Sequence, residues 1–108
     1  MAYLKIIEGG TIGREFPLKE GISCIGRWDT EAESYPDVDV SDEDIHSKIS
    51  RKHAKIIYQD NKYFIQDCKS RNKTFVNNIK DHLEPEILCE LNNEDIIKIG
   101  KIFFKFCI

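Results

Sequence analysis

Short runs in which β-branched or aromatic residues alternate with polar ones recur along almost the whole chain, and this period of two restricts its fold most. Strand side chains point to opposite faces in turn, so such a run buries one face and wets the other. In the last segment Ile102, Phe104, Phe106 and Ile108 share one side, with Lys105 opposite. Ala54, Ile56 and Tyr58 alternate likewise, as do Phe64, Gln66 and Cys68 against Tyr63 and Ile65. Composition points the same way: Ile occurs 17 times, while Leu, Ala and Met together occur nine times. Ile, Val and Thr are stiff at χ1 and suit a pleated surface better than a helix. The only helical spacing, Ile45 to Ile49, is too short to define a helix.

Turn residues cut these runs into strands predicted near 3–8, 14–19, 22–26, 37–41, 53–59, 62–68, 74–77, 87–90, 96–99 and 101–107. The breaks fall at Gly9-Gly10, Glu20-Gly21, Asp60-Asn61, Asn92-Asn93 and Gly100. Asp60-Asn61, between two alternating runs, reads as a tight hairpin. Many short strands without a helix define an all-β sandwich or barrel. The stretch 28–49 is the longest connection, and long ordered connections are often functional.

At 108 residues the chain has room for one domain, expected to span 1–108. No apolar run approaches the ~20 residues of a membrane span, and no basic stretch followed by an apolar one marks a secretory leader. A cytoplasmic location is expected. Cys24, Cys68, Cys89 and Cys107 contain no CxxC pair, so no zinc site is expected. Cys24 and Cys107 lie in apolar runs and are expected to pack as small hydrophobes.

A formal net charge of −3 argues against broad binding to nucleic acid or an anionic membrane. That average conceals an asymmetry. Residues 29–44 hold eight acids (Asp29, Glu31, Glu33, Asp37, Asp39, Asp42, Glu43 and Asp44) and no base. The rest of the chain therefore has 11 acids against 16 bases. Arg is scarce, four against 12 Lys, yet three of the four lie in short polar motifs. These are Ile25-Gly26-Arg27, Ser50-Arg51-Lys52-His53 and Ser70-Arg71-Asn72-Lys73-Thr74. Arg is preferred where a planar fork grips a phosphate or carboxylate. Each motif follows or begins a strand, which places it on a loop held by a rigid scaffold, the usual seat of recognition.

In order and spacing these elements resemble a forkhead-associated (FHA) domain, a phosphothreonine-binding β-sandwich. Gly26-Arg27 ends a strand, Ser50-x-x-His53 precedes the apolar run 54–58, and Ser70-x-Asn72-x-Thr74 precedes Phe75-Val76-Asn77. Asn93-Glu94-Asp95-Ile96-Ile97-Lys98-Ile99-Gly100 and a closing aromatic strand complete the likeness, which covers about 22–106. The resemblance implies two packed antiparallel sheets, of the sandwich type FHA domains share with SMAD domains, with recognition loops at one end. It implies that Arg27 and Ser50 hold the phosphate, that Lys48 adds a basic contact, and that Asn72 bonds the ligand backbone. Arg51 and Arg71 would contact phosphate or flanking acids, while Gly26, His53, Thr74 and Asn77 shape the loops. The partner implied is a threonine-phosphorylated protein or peptide, bound by a module that uses no cofactor or metal and mediates phosphorylation-dependent signalling; the oligomeric state is left open, with a monomer favoured.

A phosphothreonine brings about −1.5 to −2 charges and three acceptor oxygens, which need several converging donors. Three or four charge-assisted hydrogen bonds of roughly 1.5–3 kcal/mol each, less the cost of ordering a peptide, imply a dissociation constant on the order of micromolar. Lys73 departs from the family, which usually has Gly there. If that position needs a positive φ, Lys strains the loop and threatens the placement of Asn72. The acids of 29–44 would repel acidic flanking residues or pair with Lys48, Arg51 and Arg71. Asp42, Asp44 and His46 are read as solvated rather than as a metal site. An enzyme built on Ser50 and His53 lacks an acidic orienter and an oxyanion element. The remaining alternative is a phosphate-independent adaptor or oligomerisation domain that uses a sandwich face or sheet edge.

Overall fold

The computed structural model describes residues 2–31 and 35–108. The alternating runs become β1 (Tyr3–Glu8), β2 (Glu15–Pro17), β3 (Gly21–Gly26), β4 (Val38–Asp39), β5 (Lys52–Gln59), β6 (Lys62–Asp67), β7 (Thr74–Val76), β8 (Cys89–Leu91), β9 (Ile96–Ile99) and β10 (Ile102–Cys107). Each coincides with a predicted strand to within a few residues. They form two five-stranded sheets, ordered β2-β1-β10-β9-β7 and β4-β3-β5-β6-β8. The architecture is an all-β sandwich.

One pairing departs from the antiparallel expectation: β3 and β4 run parallel, with Ile25 opposite Val38. Parallel neighbours need a long crossover, and the excursion after Arg27 supplies it. Its residues 32–34, including Glu33 of the acidic stretch, lie outside the described residues. Between β5 and β6, Asp60 and Asn61 both have positive φ (51° and 62°). They form the two-residue turn whose twist suits a hairpin, with Gln59 paired to Lys62.

The buried rows of the two sheets face each other. Leu4, Ile6, Phe16, Ile97, Ile99, Phe104 and Phe106 come from one sheet; Ile25, Val38, Ala54, Ile56, Ile65 and Leu91 come from the other. In β10 Ile102, Phe104 and Phe106 are buried as predicted, but Ile108 is 59% exposed because it lies past the last β1–β10 pair, Tyr3–Cys107. Cys24 is also exposed, because Ser23 and Ile25 take the inward direction on either side of it. It is not the packed small hydrophobe expected.

The acidic stretch is the larger correction. Asp44, read as solvated, is buried, and so is its neighbour Glu43. The Arg14 guanidinium binds Asp42 at 2.9 Å and Glu43 at 2.7 Å, and Glu43 also accepts the Thr11 N–H. Burial alone would push the Glu43 carboxyl up; Arg14 and the Thr11 amide outweigh it and hold it below its ordinary range. Asp37 pairs with Lys19 at 2.8 Å, and Asp39 accepts the Ser41 N–H and hydroxyl. Of the three cations expected to take these acids, Arg51 meets one, with Nη1 3.8 Å from Asp29. Among the described residues, no helix is long and apolar enough to cross a membrane.

Candidate functional site

The site begins where β3 meets the loop before β5. A Cβ on Gly26 would stand 1.9 Å from the Arg51 carbonyl oxygen, so only glycine lets the strand end lie against that loop. The Arg27 N–H then donates to the Arg51 carbonyl, and the Arg27 side chain is turned along the loop. Its Nε donates to the Ile49 carbonyl at 2.5 Å and lies 3.8 Å from the Asp44 carboxylate. Nε is thereby committed to the protein. Among the described residues the two terminal amino groups of Arg27 have no hydrogen-bond acceptor.

Asp44, whose side chain is 2% exposed, organises the same loop by accepting the backbone N–H groups of Lys48 and Ile49 at 2.8 and 2.9 Å. A buried carboxylate with two amide donors and a guanidinium nearby is well satisfied. It is not a solvated acid. Among the described residues, no group of His, Cys, Asp or Glu side chains could hold a metal ion.

A second buried acid, Asp67, shapes the loop between β6 and β7. Its carboxylate accepts the Ser70 N–H, the Ser70 hydroxyl and, at 2.7 Å, the Thr74 hydroxyl. Ser70 and Thr74 are therefore buried struts. They leave Arg71 and Asn72 at the exposed crest between them. Asn77, predicted to be structural, has φ 59° and bridges β7 to Asp95 and the Ile96 N–H through its side-chain amide.

The two loops are sewn together at three points. The fully buried His53 ring accepts the Ser50 N–H at Nδ1 (3.0 Å), and its Nε2–H donates to the Lys73 carbonyl (2.8 Å). The Ser50 hydroxyl oxygen accepts the Arg71 N–H at 3.0 Å. The Asn72 amide donates to the Lys48 carbonyl at 2.8 Å. Lys73 does adopt the left-handed conformation, φ 69°, with its carbonyl held by His53. Asn72 remains in the site, although one of its donors is already taken by Lys48. Both ring nitrogens of His53 serve backbone groups, so His53 is not a base for the Ser50 hydroxyl.

Arg27, Lys48, Ser50, Arg51, Arg71 and Asn72, the six residues expected at the site, all line one pocket of about 260 Å³, together with Ser47 and Ile49. Among the described residues no carboxylate lines it. The pocket presents four cationic side chains, two hydroxyls and one amide, the donor set an isolated dianion requires.

Asp44 and Asp67 were not singled out as site-shaping residues. For Asp67 a signal existed: it shares the inward row of β6 with Ile65, and Ser and Thr follow three and seven residues on. For Asp44 none did, because seven other acids crowd the same stretch.

His53 carries a pH dependence. Burial lowers its pKa below the ordinary 6.5, only partly offset by the Lys73 carbonyl and by Asp67 and Asp44. The unfolded chain then takes up a proton that the native site resists, and stability falls as pH drops below about 6.5. The loss ends once the native ring also protonates. The expected result is a melting temperature that declines from pH 7 toward pH 5, with a flatter profile for His53→Asn. Parallel profiles would refute this.

Three comparisons bear on the geometry. The family model of the FHA domain matches residues 10–100. The chain is 31% identical over 105 residues to the glycogen accumulation regulator GarA of Mycobacterium tuberculosis, covering 97% of this chain and 56% of that protein. The chain thus spans about half the length of the curated relatives it matches. Among solved structures it superposes on M. tuberculosis EmbR in complex with a low-affinity phosphopeptide, with TM-score 0.77 and 29% identity, covering 99% of this chain and 24% of that one. It also superposes on the FHA domain of the CT664 protein of Chlamydia trachomatis, with TM-score 0.75 and 30% identity, covering 99% and 96%.

Proposed function

The chain belongs to the FHA domain family, and on that premise we propose that it is a phosphothreonine-binding module mediating phosphorylation-dependent contacts between signalling proteins. The observation that carries this reading is the pocket lined by Arg27, Lys48, Ser50, Arg51, Arg71 and Asn72, with no carboxylate among the described residues that line it. In this reading the terminal amino groups of Arg27 bind the phosphate and the Ser50 hydroxyl donates its proton to it. Lys48, Arg51 and Arg71 supply further charge. The remaining amide atoms of Asn72 bond the peptide backbone and hold it extended across the loops. This is phosphopeptide capture by an arginine cluster. It is binding, not catalysis, and needs no cofactor. The four free thiols suit a reducing compartment such as the cytoplasm.

Matched peptides carrying phosphothreonine, phosphoserine or unmodified threonine test the reading by calorimetry. The phosphothreonine peptide should bind at about micromolar strength and the unmodified one not measurably. Loss of one buried methyl should weaken phosphoserine about fourfold. Equal binding of the unmodified peptide overturns the proposal.

A further inference from the structure

The phosphate pocket continues into a second hollow. Lys48 and Asn72 form a shared wall, and beyond it Phe75, Lys98, Gly100 and Lys101 enclose a further 240 Å³ or so. This extension is built by the β9–β10 turn, which the sequence reading did not connect with the site. The turn is seated directly on the phosphate loop. Gly100 has φ +61°, and a Cβ there would lie 2.7 Å from Ile49 Cγ1 and 3.4 Å from Lys48 Cβ. Gly100 thus sets Lys98 and Lys101 on the rim that Lys48 begins.

Three properties make the extension specific for negative charge. Lys48, Lys98 and Lys101 converge on it, and among the described residues no carboxylate lines it, in contrast to the two hollows that hold Glu94 and Glu86. Among the described residues, none of these lysines has a carboxylate within ion-pair distance, while Arg14, Lys19 and Lys105 each do. The Lys98 ammonium is also held in place, 5.2 Å from the Phe75 ring centroid and 5.9 Å from that of Phe103. A cation resting on two aromatic rings is partly desolvated and preoriented toward an external anion.

We propose that Lys98 and Lys101 are specificity-determining residues that read an anionic side chain, a carboxylate or a second phosphoryl group, on one side of the phosphothreonine in the same peptide. This rests on the function proposed above. A fixed-length phosphothreonine peptide with alanine flanks, and variants with Glu at each flanking position in turn, would be titrated against the wild-type domain, Lys98→Ala and Lys101→Glu. Positions where Glu helps would be repeated with phosphoserine. In the wild type, Glu at positions on one side should tighten binding about three- to fivefold at low salt, less as salt rises. In both variants the ratio of acidic to neutral affinity should fall toward one. Because Lys98 also packs on aromatic rings, the exposed Lys101 provides the variant least able to act through folding. A larger gain for phosphoserine than for Glu identifies a phosphoryl group as the preferred anion, and an equal gain identifies a carboxylate. If the alanine-flanked phosphopeptide fails to bind the wild type, the parent reading falls and this one with it. If it binds but no Glu position gains, or the gain persists in both variants, this inference alone is overturned.

Discussion

Arg27→Ala is expected to weaken binding of a phosphothreonine peptide by about a hundredfold or more while the domain stays folded. The Arg27 Nε is tied to the Ile49 carbonyl and faces Asp44, which points the rest of the guanidinium into the pocket. Losing two charge-assisted hydrogen bonds to a phosphate costs about 3–6 kcal/mol, which takes a micromolar complex to about 100 micromolar at best. The fold should survive, because Asp44 keeps its two amide donors and the Arg27 side chain is 36% exposed. Arg27→Lys keeps the charge but cannot hold Ile49 and a phosphate with one planar fork, so it should fall in between. Calorimetry with one phosphopeptide ranks all three. Wild-type affinity in Arg27→Ala would remove Arg27 from the site. Lys52 does not line the pocket, and Lys52→Ala should leave affinity nearly unchanged.

The second large effect is on stability. Asp67→Ala would strand the Ser70 N–H, the Ser70 hydroxyl and the Thr74 hydroxyl, whose residues are all buried. A buried donor left without a partner costs about 1–3 kcal/mol, so the variant should lose roughly 3–5 kcal/mol, much of what a small domain has. Thr74→Val removes one donor and leaves Asp67 its two bonds to Ser70, so it should cost only about 1 kcal/mol. Urea denaturation of both variants checks the contrast. Near-equal midpoints for Asp67→Ala and the wild type would show that these bonds do not hold the loop. The same carboxylate shapes the loop that presents Arg71 and Asn72, so binding should weaken in whatever fraction of Asp67→Ala remains folded.

Strand placement was legible because alternation and turn chemistry act over a few neighbouring residues. Asp60 and Asn61 tolerate positive φ, and the hairpin formed where they stand. Lys73 shows the limit of that reading. Its sequence position flagged a glycine-like conformation, but only the fold shows His53 holding its carbonyl and Asn72 anchored to Lys48. The acidic stretch went further astray. Its acids were expected to repel flanking acids or pair with Lys48, Arg51 and Arg71, yet Asp42 and Glu43 are bound by Arg14 from 28 and 29 residues away. The Lys98–Lys101 rim was equally hidden, since its closeness to Lys48 depends on a glycine turn packed against Ile49.

The sequence by itself determined an all-β chain, the positions of its strands, and the three polar motifs that became neighbouring loops around one pocket. These depend on side-chain period, backbone preference and residue type, all local properties. Only the tertiary structure decided which charges act outward. Burial turns Asp44 and Asp67 into internal braces, and long-range pairing binds Asp42 and Glu43 to Arg14, while the lysines of the β9–β10 turn open onto the pocket. A charge's role follows from its desolvation and its neighbours in space, and the linear order of residues contains neither.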